Sequence, residues 1–272
     1  MKLTMLGTGN ALVTECYNTC FVLFDEHADC ADSKYFLVDG GGGNEILHKL
    51  KQAQIDLQDI HTIFVTHKHI DHLIGIIWLI RMICQSINKG SYIGNATIYA
   101  HDEVTSLLYE MADKLLQKKQ TELIGKRLFL VPVQDGEEKT ILNRTVTFFD
   151  IHSAKAKQFG FCMELGGGRK LTCCGDEPYN PCEERYAKNS SWLLHEAFCL
   201  HSQADIFSPY EKHHSTVKDA CELAQKLSVE NLLLYHTEDK NIANRKELYT
   251  NEGKAYFKGN IFVPDDLETV SL

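Results

Sequence analysis

Short apolar runs alternate along the chain with segments whose apolar positions recur at helical spacing. Eleven β-type runs are predicted, at residues 2–6, 19–24, 35–38, 62–65, 96–100, 127–133, 145–151, 159–165, 170–174, 192–197 and 232–236. Helical spacing predicts helices at residues 44–54, 103–117 and 216–228, and the apolar stretch 73–87 predicts a buried helix. Strand groups separated by helices indicate an α/β fold in which helices cover sheets.

The length and the apolar content set the scale of the fold. With 272 residues and 44% hydrophobic content, the chain is expected to form one layered α/β domain over residues 1–272. No stretch is expected to span a bilayer, because Arg81 interrupts residues 73–87. The chain begins directly with a strand-like pattern and shows no apolar signal region. We therefore expect a cytoplasmic protein without a membrane partner.

Cysteine content and charge exclude some classes of protein. The 10 cysteines are scattered, and Cys173 and Cys174 are neighbours within a predicted buried strand, so we expect reduced, mostly core thiols. The net charge of -9 opposes tight non-specific binding to nucleic acid, which depends on lysine and arginine contacts to phosphate. A local basic patch stays possible. Residues 260–268 are predicted to form a final edge strand with an acidic tail.

The segment 66–72 carries the strongest chemical signal. It reads Thr-His-Lys-His-Ile-Asp-His and directly follows the apolar run 63–65, which predicts a polar loop at the end of a buried strand. Imidazole nitrogens and carboxylate oxygens suit zinc or a similar divalent cation. A solvated polar loop is the alternative, but it gives no reason for an H-x-H-x-D-H pattern at a strand end. We predict a metal site with more donors than one ion easily uses.

Three more polar residues follow predicted strands at a distance in the chain: His152, Asp176 and His236. Taken singly, each is more often a structural residue than a ligand. Taken together with segment 66–72, they extend a ligand set that is large enough for two ions. Two divalent cations about 3.5 to 4 Å apart lower the pKa of water and clamp the oxygens of a substrate, so the expected reaction is hydrolysis.

This order of motifs resembles the metallo-β-lactamase superfamily over nearly the whole chain. The resemblance implies a four-layer αββα sandwich with a two-metal site at one edge, and it implies that Asp39 orders the site without binding metal. It gives His67, His69 and His152 to the first ion, Asp71, His72 and His236 to the second, and Asp176 to both. Histidine at position 69 is similar to the zinc hydrolases of the superfamily. Zn²⁺ is therefore preferred, with Mn²⁺ or iron as alternatives.

Two further motifs resemble the ribonuclease Z branch. His195-Glu196-Ala197 is similar to its H-E-A-T segment, and His213-His214-Ser215-Thr216 is similar to its H-S-T loop. The resemblance implies that His214 protonates the leaving oxygen and that Glu196 supports it; Asp71 is the third predicted catalytic residue. The predicted helix after this loop suggests that a phosphate docks on its N-terminus. The alternative is a plain helix cap with an exposed His214.

The chain departs from ribonuclease Z where that family grips RNA. Residues 6–10 are similar to the start of the family, but residues 12–18 lack the basic pair of its P-x-K-R-N segment. The stretch between His152 and Asp176 is too short for the long arm that holds tRNA. We expect a ribonuclease Z-like phosphodiesterase that acts on RNA or on a smaller phosphodiester, and the resemblance implies a homodimer. A thioesterase or lactonase of the same superfamily, or a non-catalytic metal-binding sensor, stays open.

Overall fold

The computed structural model describes residues 1–25 and 34–272, which form two seven-stranded sheets. The strands of the first sheet, in chain order, are β1 (Lys2–Gly7), β2 (Cys20–Phe24), β3 (Tyr35–Val38), β4 (Ile60–Phe64), β5 (Ala96–Ala100), β6 (Leu128–Pro132) and β14 (Thr269–Ser271). Those of the second sheet are β7 (Glu138–Ile141), β8 (Arg144–Asp150), β9 (Phe159–Gly166), β10 (Arg169–Cys173), β11 (Trp192–Glu196), β12 (Asn231–Tyr235) and β13 (Asn260–Phe262). Their spatial orders are β14-β1-β2-β3-β4-β5-β6 and β13-β12-β11-β10-β9-β8-β7.

Eight α-helices connect the strands in the described part of the chain. They are α1 (Glu45–Gln52), α2 (Ile70–Lys89), α3 (Asp102–Leu115), α4 (Lys118–Thr121), α5 (Glu184–Ala187), α6 (Ala204–Phe207), α7 (Val217–Lys226) and α8 (Arg245–Gly253). The predicted N-terminus of α7 is confirmed, because the Thr216 hydroxyl accepts from the Asp219 amide and the Asp219 side chain accepts from the Thr216 amide.

The apolar side chains form three layers of core between four layers of structure. Helices α1 to α3 pack on the outer face of the first sheet, and α7 and α8 pack on the outer face of the second. Between the sheets, the Phe161 ring lies 5.6 Å from the Phe36 ring and 5.9 Å from the Phe64 ring, edge to face in both pairs. The predicted αββα sandwich is confirmed.

Among the described residues, one helix is long and apolar enough to cross a membrane by length and composition alone, and it contains the predicted buried helix 73–87. This helix is α2, and 61% of its most apolar window is buried inside the protein. Ile76, Ile80 and Ile83 pack into the core beside the first sheet. Its apolar character is explained by this packing on the sheet.

The cysteines are free thiols throughout the described residues. Six of the nine that are described are buried, including Cys173 and Cys174 in the second sheet. This confirms the expectation of reduced, mostly core thiols for the described cysteines, while Cys30 lies outside the described residues. No disulfide is needed where a core of this size forms.

The strands predicted from the sequence and those in the structure differ most at the sheet edges. Strands β7 and β14 were not predicted, and β13 covers only the start of the predicted strand 260–268. The expected acidic tail is wrong, because the chain returns and pairs as β14 with β1, placing Val270 opposite Leu3. All three are short edge strands with few buried residues, and β7 and β14 are mostly polar, so they lack the apolar signal of a central strand.

Residue Glu183 gives the fold a pH-dependent stability. Burial raises the pKa of its carboxyl group to about 8, and one carboxyl oxygen has no hydrogen-bond partner. The folded protein therefore holds a proton that the unfolded chain has already released above about pH 4.5, so stability falls as pH rises toward 8. We expect the free energy of unfolding to drop by about 2 kcal/mol between about pH 6 and pH 8.

Urea denaturation at both pH values measures this drop in the wild type and in Glu183→Gln. The amide cannot ionise, so the variant should lose this part of the pH dependence while the rest of the protein titrates as before. Equal pH dependence in the two proteins would contradict the assignment.

Candidate metal centre

The strand directions bring distant residues to one edge of the sandwich. Strand β4 runs parallel to β3 and β5, and β10, β11 and β12 run parallel to one another. Strand β8 runs in the same direction as β10, because both are antiparallel to β9. The segments after β4, β8, β10 and β12 therefore meet at the carboxyl ends of the strands, where α/β proteins place their sites.

The first group of ligand atoms belongs to His67, His69 and Asp176, whose atoms all lie within 4.8 Å of one another. The His67 Nε2 and His69 Nδ1 atoms are 2.8 Å apart, and His67 Nε2 is 3.6 Å from Asp176 Oδ2. His67 is fully buried. Two imidazoles and a carboxylate that converge in this way can hold one divalent cation.

The second group belongs to Asp71, His72 and His236. His72 Nε2 lies 3.3 Å and His236 Nε2 3.5 Å from Asp71 Oδ2. The same two nitrogens each lie 3.3 Å from Asp176 Oδ2. The Asp176 oxygen thus faces both groups, which is the position of a carboxylate shared by two ions.

The ligand residues present buried nitrogen atoms that a cation could bind. His72 Nε2 and both ring nitrogens of His236 are buried and have no hydrogen-bond partner in the described part of the chain. Buried polar atoms without a partner are unfavourable, and a bound divalent cation would satisfy these nitrogens. Gln158 Nε2 donates to Asp176 Oδ1 at 2.7 Å, which leaves Oδ2 free to face the two groups.

The pKa shifts of the ligand residues also favour a bound cation. Burial raises the pKa values of Asp71 and Asp176, but the neighbouring histidines outweigh it and hold both well below their usual range. Burial lowers the pKa of His67 and of His72; for His72, however, Asp71 and Asp39 outweigh burial and raise it. Two ionised carboxylates therefore attract positive charge to the cluster, and a divalent cation would supply that charge while displacing the histidine proton.

Asp39 orients the ligands without joining either group. Its Oδ1 accepts from the Thr66 amide and its Oδ2 from the Thr66 hydroxyl, each at 2.8 Å, and its Oδ2 lies 2.8 Å from His72 Nδ1. Thr66 Oγ1 lies 2.9 Å from His67 Nδ1. These contacts fix one ring nitrogen of each histidine and aim the other at the cluster, as outer contacts in metal sites do.

Two glycines allow the Asp39 loop to approach helix α2. The Gly40 amide donates to the His72 carbonyl and the Gly75 amide to the Gly41 carbonyl, both at 2.9 Å. A Cβ atom on Gly75 would lie 1.8 Å from the Gly40 carbonyl oxygen. Only glycine lets the backbones come so close, and this contact sets the distance between Asp39 and His72.

Beside the second group, Glu196 and His214 form a hydrogen-bonded pair. His214 Nδ1 lies 2.6 Å from Glu196 Oε2, and the Ser215 amide donates to Glu196 Oε1 at 2.7 Å. Burial raises the pKa of Glu196 and lowers that of His214 to about 4. The His214 ring stacks on Phe198 and lies 5.1 Å from the His236 ring, so Nε2 is the nitrogen left for a substrate.

His152 does not join the cluster in this structure. Its side chain is exposed, and it belongs to none of the ligand groups among the described residues, whereas the other six predicted ligands all do. Its backbone is left-handed, with φ of 54°, as it is at Asp39 (60°) and His236 (57°). Such strain in residues other than glycine gathers at functional sites. His152 as a metal ligand stays a prediction that requires its side chain to turn.

The N-terminus of α7 is not a free anion site. The amides of Ser215 and Thr216 donate to Glu196 and Asp219, and the Val217 amide donates to the Cys199 carbonyl. The expectation that a phosphate docks on these groups is therefore wrong. The alternative reading of His214 also fails, because the ring is buried at 9% exposure and not an exposed bystander.

Sequence reasoning missed the residues that hold the ligands in place. Thr66 precedes the H-x-H-x-D-H pattern and Gln158 precedes strand β9, yet neither carries a signal beyond its side chain type. The sequence also carries no signal for Lys155, whose Nζ lies 3.3 Å from His214 Nε2 in the structure.

Comparison with known proteins identifies the family. The family model described as Anti-Pycsar protein Apyc1 matches residues 1–257. The chain belongs to this family. This Apyc1 family chain is also similar to Ribonuclease Z of Ligilactobacillus salivarius (strain UCC118), at 26% identity over 100% of this chain and 97% of the relative.

Solved structures show the same fold as this Apyc1 family chain. The metallo-β-lactamase fold protein YhfI of Bacillus subtilis matches with a TM-score of 0.77 and 19% identity, covering 99% of this chain and 98% of that one. Human tRNase Z, short form (ELAC1), matches with a TM-score of 0.70 and 20% identity, covering 100% and 99%. The predicted metallo-β-lactamase superfamily and its ribonuclease Z-like branch are confirmed, and with them a metal-dependent hydrolase.

Proposed function

We propose that this protein hydrolyses phosphodiester bonds with two divalent cations, preferably Zn²⁺. The observation that carries the proposal is the Glu196–His214 pair beside the metal cluster: Glu196, His214 and His236 have side chain atoms within 4.8 Å of one another. A poor leaving group, such as the alkoxide of a nucleoside, needs a proton when its bond to phosphorus breaks. Hydrolysis of a lactone or thioester depends less on a proton donor such as His214.

In this proposal the two ligand groups hold the two ions. His67 and His69 hold the first, with His152 after its side chain turns, and Asp71, His72 and His236 hold the second. Asp176 faces both. When bound, the ions supply positive charge for the phosphate oxygens and lower the pKa of water. Imidazole and carboxylate donors suit Zn²⁺, while Mn²⁺ or iron would also be accommodated.

The side chains of the protein then handle the protons. The oxygen of a water molecule forms a bond to phosphorus while the bond from phosphorus to the leaving oxygen breaks. His214 takes up a proton from solvent when the anionic phosphate binds and gives it from Nε2 to the leaving oxygen, while Glu196 stabilises the charged imidazole through Nδ1. The proton that the attacking water loses passes to solvent. Asp71 stays ionised, so it can accept a hydrogen bond from the attacking water and orient it. The products are a phosphomonoester and an alcohol.

We propose a phosphodiester smaller than tRNA as the substrate, although relatives are named Ribonuclease Z. Between His152 and Asp176 the chain forms one short loop and the β9–β10 hairpin, which leaves little surface to grip a large RNA. The net charge of -9 opposes binding to a large polyanion. A cytoplasmic location, a single domain over residues 1–272 and a homodimer remain part of the proposal.

A substrate panel tests the function. Metal-loaded protein is assayed with bis(p-nitrophenyl) phosphate, an aliphatic lactone and a glutathione thioester. We expect kcat/KM to be highest for the phosphodiester and to vanish after metal removal by a chelator, returning when Zn²⁺ or Mn²⁺ is added. Faster turnover of the lactone or thioester would favour that branch of the superfamily instead. Undiminished turnover in metal-free protein, or none in the metal-loaded protein, would refute the proposal.

A further inference from the structure

A short loop with a fixed conformation lies where β8 leads into β9. The Glu177 carboxylate, which is only 6% exposed, accepts from the Ser153 hydroxyl at 2.8 Å and from the Ala154 amide at 3.1 Å. The Ser153 hydroxyl oxygen in turn accepts from the amides of Lys155 and Ala156, each at 3.2 Å. Because Glu177 directly follows Asp176 in the chain, the loop is tied to the metal cluster.

This loop carries the Lys155 ammonium group to the proton donor. Lys155 Nζ lies 3.3 Å from His214 Nε2, the nitrogen that faces away from Glu196. An ammonium group has only donors, so the imidazole lone pair is the acceptor in the absence of substrate. An anionic phosphate oxygen is a stronger acceptor for an ammonium group than a neutral imidazole nitrogen.

We propose that Lys155 is a substrate-binding residue that donates to an oxygen of the scissile phosphate beside His214. The inference rests on the proposed function, since it takes a phosphodiester as the substrate. The leaving oxygen must approach His214 Nε2 to receive its proton, and Lys155 Nζ is already there. In the described structure, Lys155 places a positive charge at the site itself. A substrate could use this charge in place of a basic binding arm.

The other lysines near the site are already engaged. Lys157 Nζ lies 2.6 Å from Asp102 and Lys68 Nζ lies 3.0 Å from Glu103. Lys155 makes no ion pair with a carboxylate in residues 1–25 and 34–272. Lys155 is exposed, forms no ion pair with a carboxylate in the described residues and lies beside the proton donor, so its ammonium group is available to an incoming anion.

The charge of Lys155 also reaches both halves of the site. Burial is the main cause that lowers the pKa values of His69 and His214, and Lys155 lowers both further. At Glu196, Lys155 opposes the rise that burial causes. The backbone amides at the start of α7 are occupied, so Lys155 is the cation placed to meet a phosphate at this side of the cluster.

Two lysines of the same loop provide the test and its control. Lys155→Met removes an ammonium group beside His214, and Lys157→Met removes one that pairs with Asp102 two residues further along the chain. With metal-loaded protein, we expect Lys155→Met to lower kcat/KM for phosphodiesters about 10- to 100-fold, as the loss of a charged hydrogen bond predicts. Lys157→Met should stay within about 2-fold of the wild type. Lys155→Arg should recover most of the activity.

Binding of inorganic phosphate separates this inference from the proposed function. Calorimetric titration of the metal-loaded proteins should show phosphate affinity weakened about 10-fold or more in Lys155→Met and unchanged in Lys157→Met. If this holds but the wild type hydrolyses no phosphodiester, the proposed function fails and the Lys155 site stands. If the wild type hydrolyses phosphodiesters and the two methionine variants behave alike, the Lys155 site is refuted. Absence of phosphate binding to the wild type refutes it as well.

Discussion

Replacing Asp176 by alanine is expected to lower kcat/KM for a phosphodiester by about 10³-fold or more. Asp176 Oδ2 lies 3.3 to 3.6 Å from the Nε2 atoms of His67, His72 and His236, so it is the group that joins the two ligand sets. Metal ions contribute several kcal/mol to such reactions, and about 4 kcal/mol corresponds to about 10³-fold in rate. Steady-state kinetics and the metal content per chain, measured together, check this result.

The control for this variant is another histidine-carboxylate pair. His48 and Glu45 are 2.9 Å apart on the exposed face of α1, so His48→Ala should leave metal content and kcat/KM within about 2-fold of the wild type. Asp176→Ala should bind less metal even before any activity is measured. Full metal content together with full activity would show that Asp176 is not the shared ligand.

The centre of the site was predictable because sequence and geometry use the same rule. Strands β4, β10 and β12 each end in buried residues, and His67, Asp176 and His236 follow them within a few residues. Parallel strands of one sheet end at the same edge, and the packing of the two sheets brings the residues after β4 beside those after β10 and β12. This rule needs no knowledge of side chain orientation, and it brings six of the seven predicted ligands into the groups described above.

The same rule fails where side chain direction or long-range pairing decides the outcome. Strand order places His152 at the correct edge, but the direction of its side chain depends on a left-handed backbone that the sequence does not reveal. Strand β14 holds a single buried residue, Val270, and forms only because β1 lies ready to pair with it from the other end of the chain. The occupation of the amides at the start of α7 likewise depends on a distant element, because Glu196 lies at the end of strand β11.

Replacing His214 by alanine is expected to slow phosphodiester hydrolysis to a degree that depends on the leaving group. For a dinucleoside phosphate, whose alkoxide needs a proton to leave, kcat/KM should fall about 10²- to 10⁴-fold, the usual range for a lost general acid. For bis(p-nitrophenyl) phosphate the fall should be less than about 10-fold, because p-nitrophenolate leaves without protonation. Parallel kinetics on the two substrates measure the ratio of the two losses.

The ratio separates proton donation from packing. The His214 ring stacks on Phe198 with their centroids 4.8 Å apart, so alanine leaves a gap whose structural effect would slow both substrates equally. His213→Asn is the matched control, since His213 is exposed and has a left-handed backbone that asparagine tolerates. Glu196→Gln should move with His214→Ala, because the amide cannot stabilise the charged imidazole. Equal losses on both substrates would make His214 a structural residue, and the leaving oxygen would then need another proton donor within reach of the cluster.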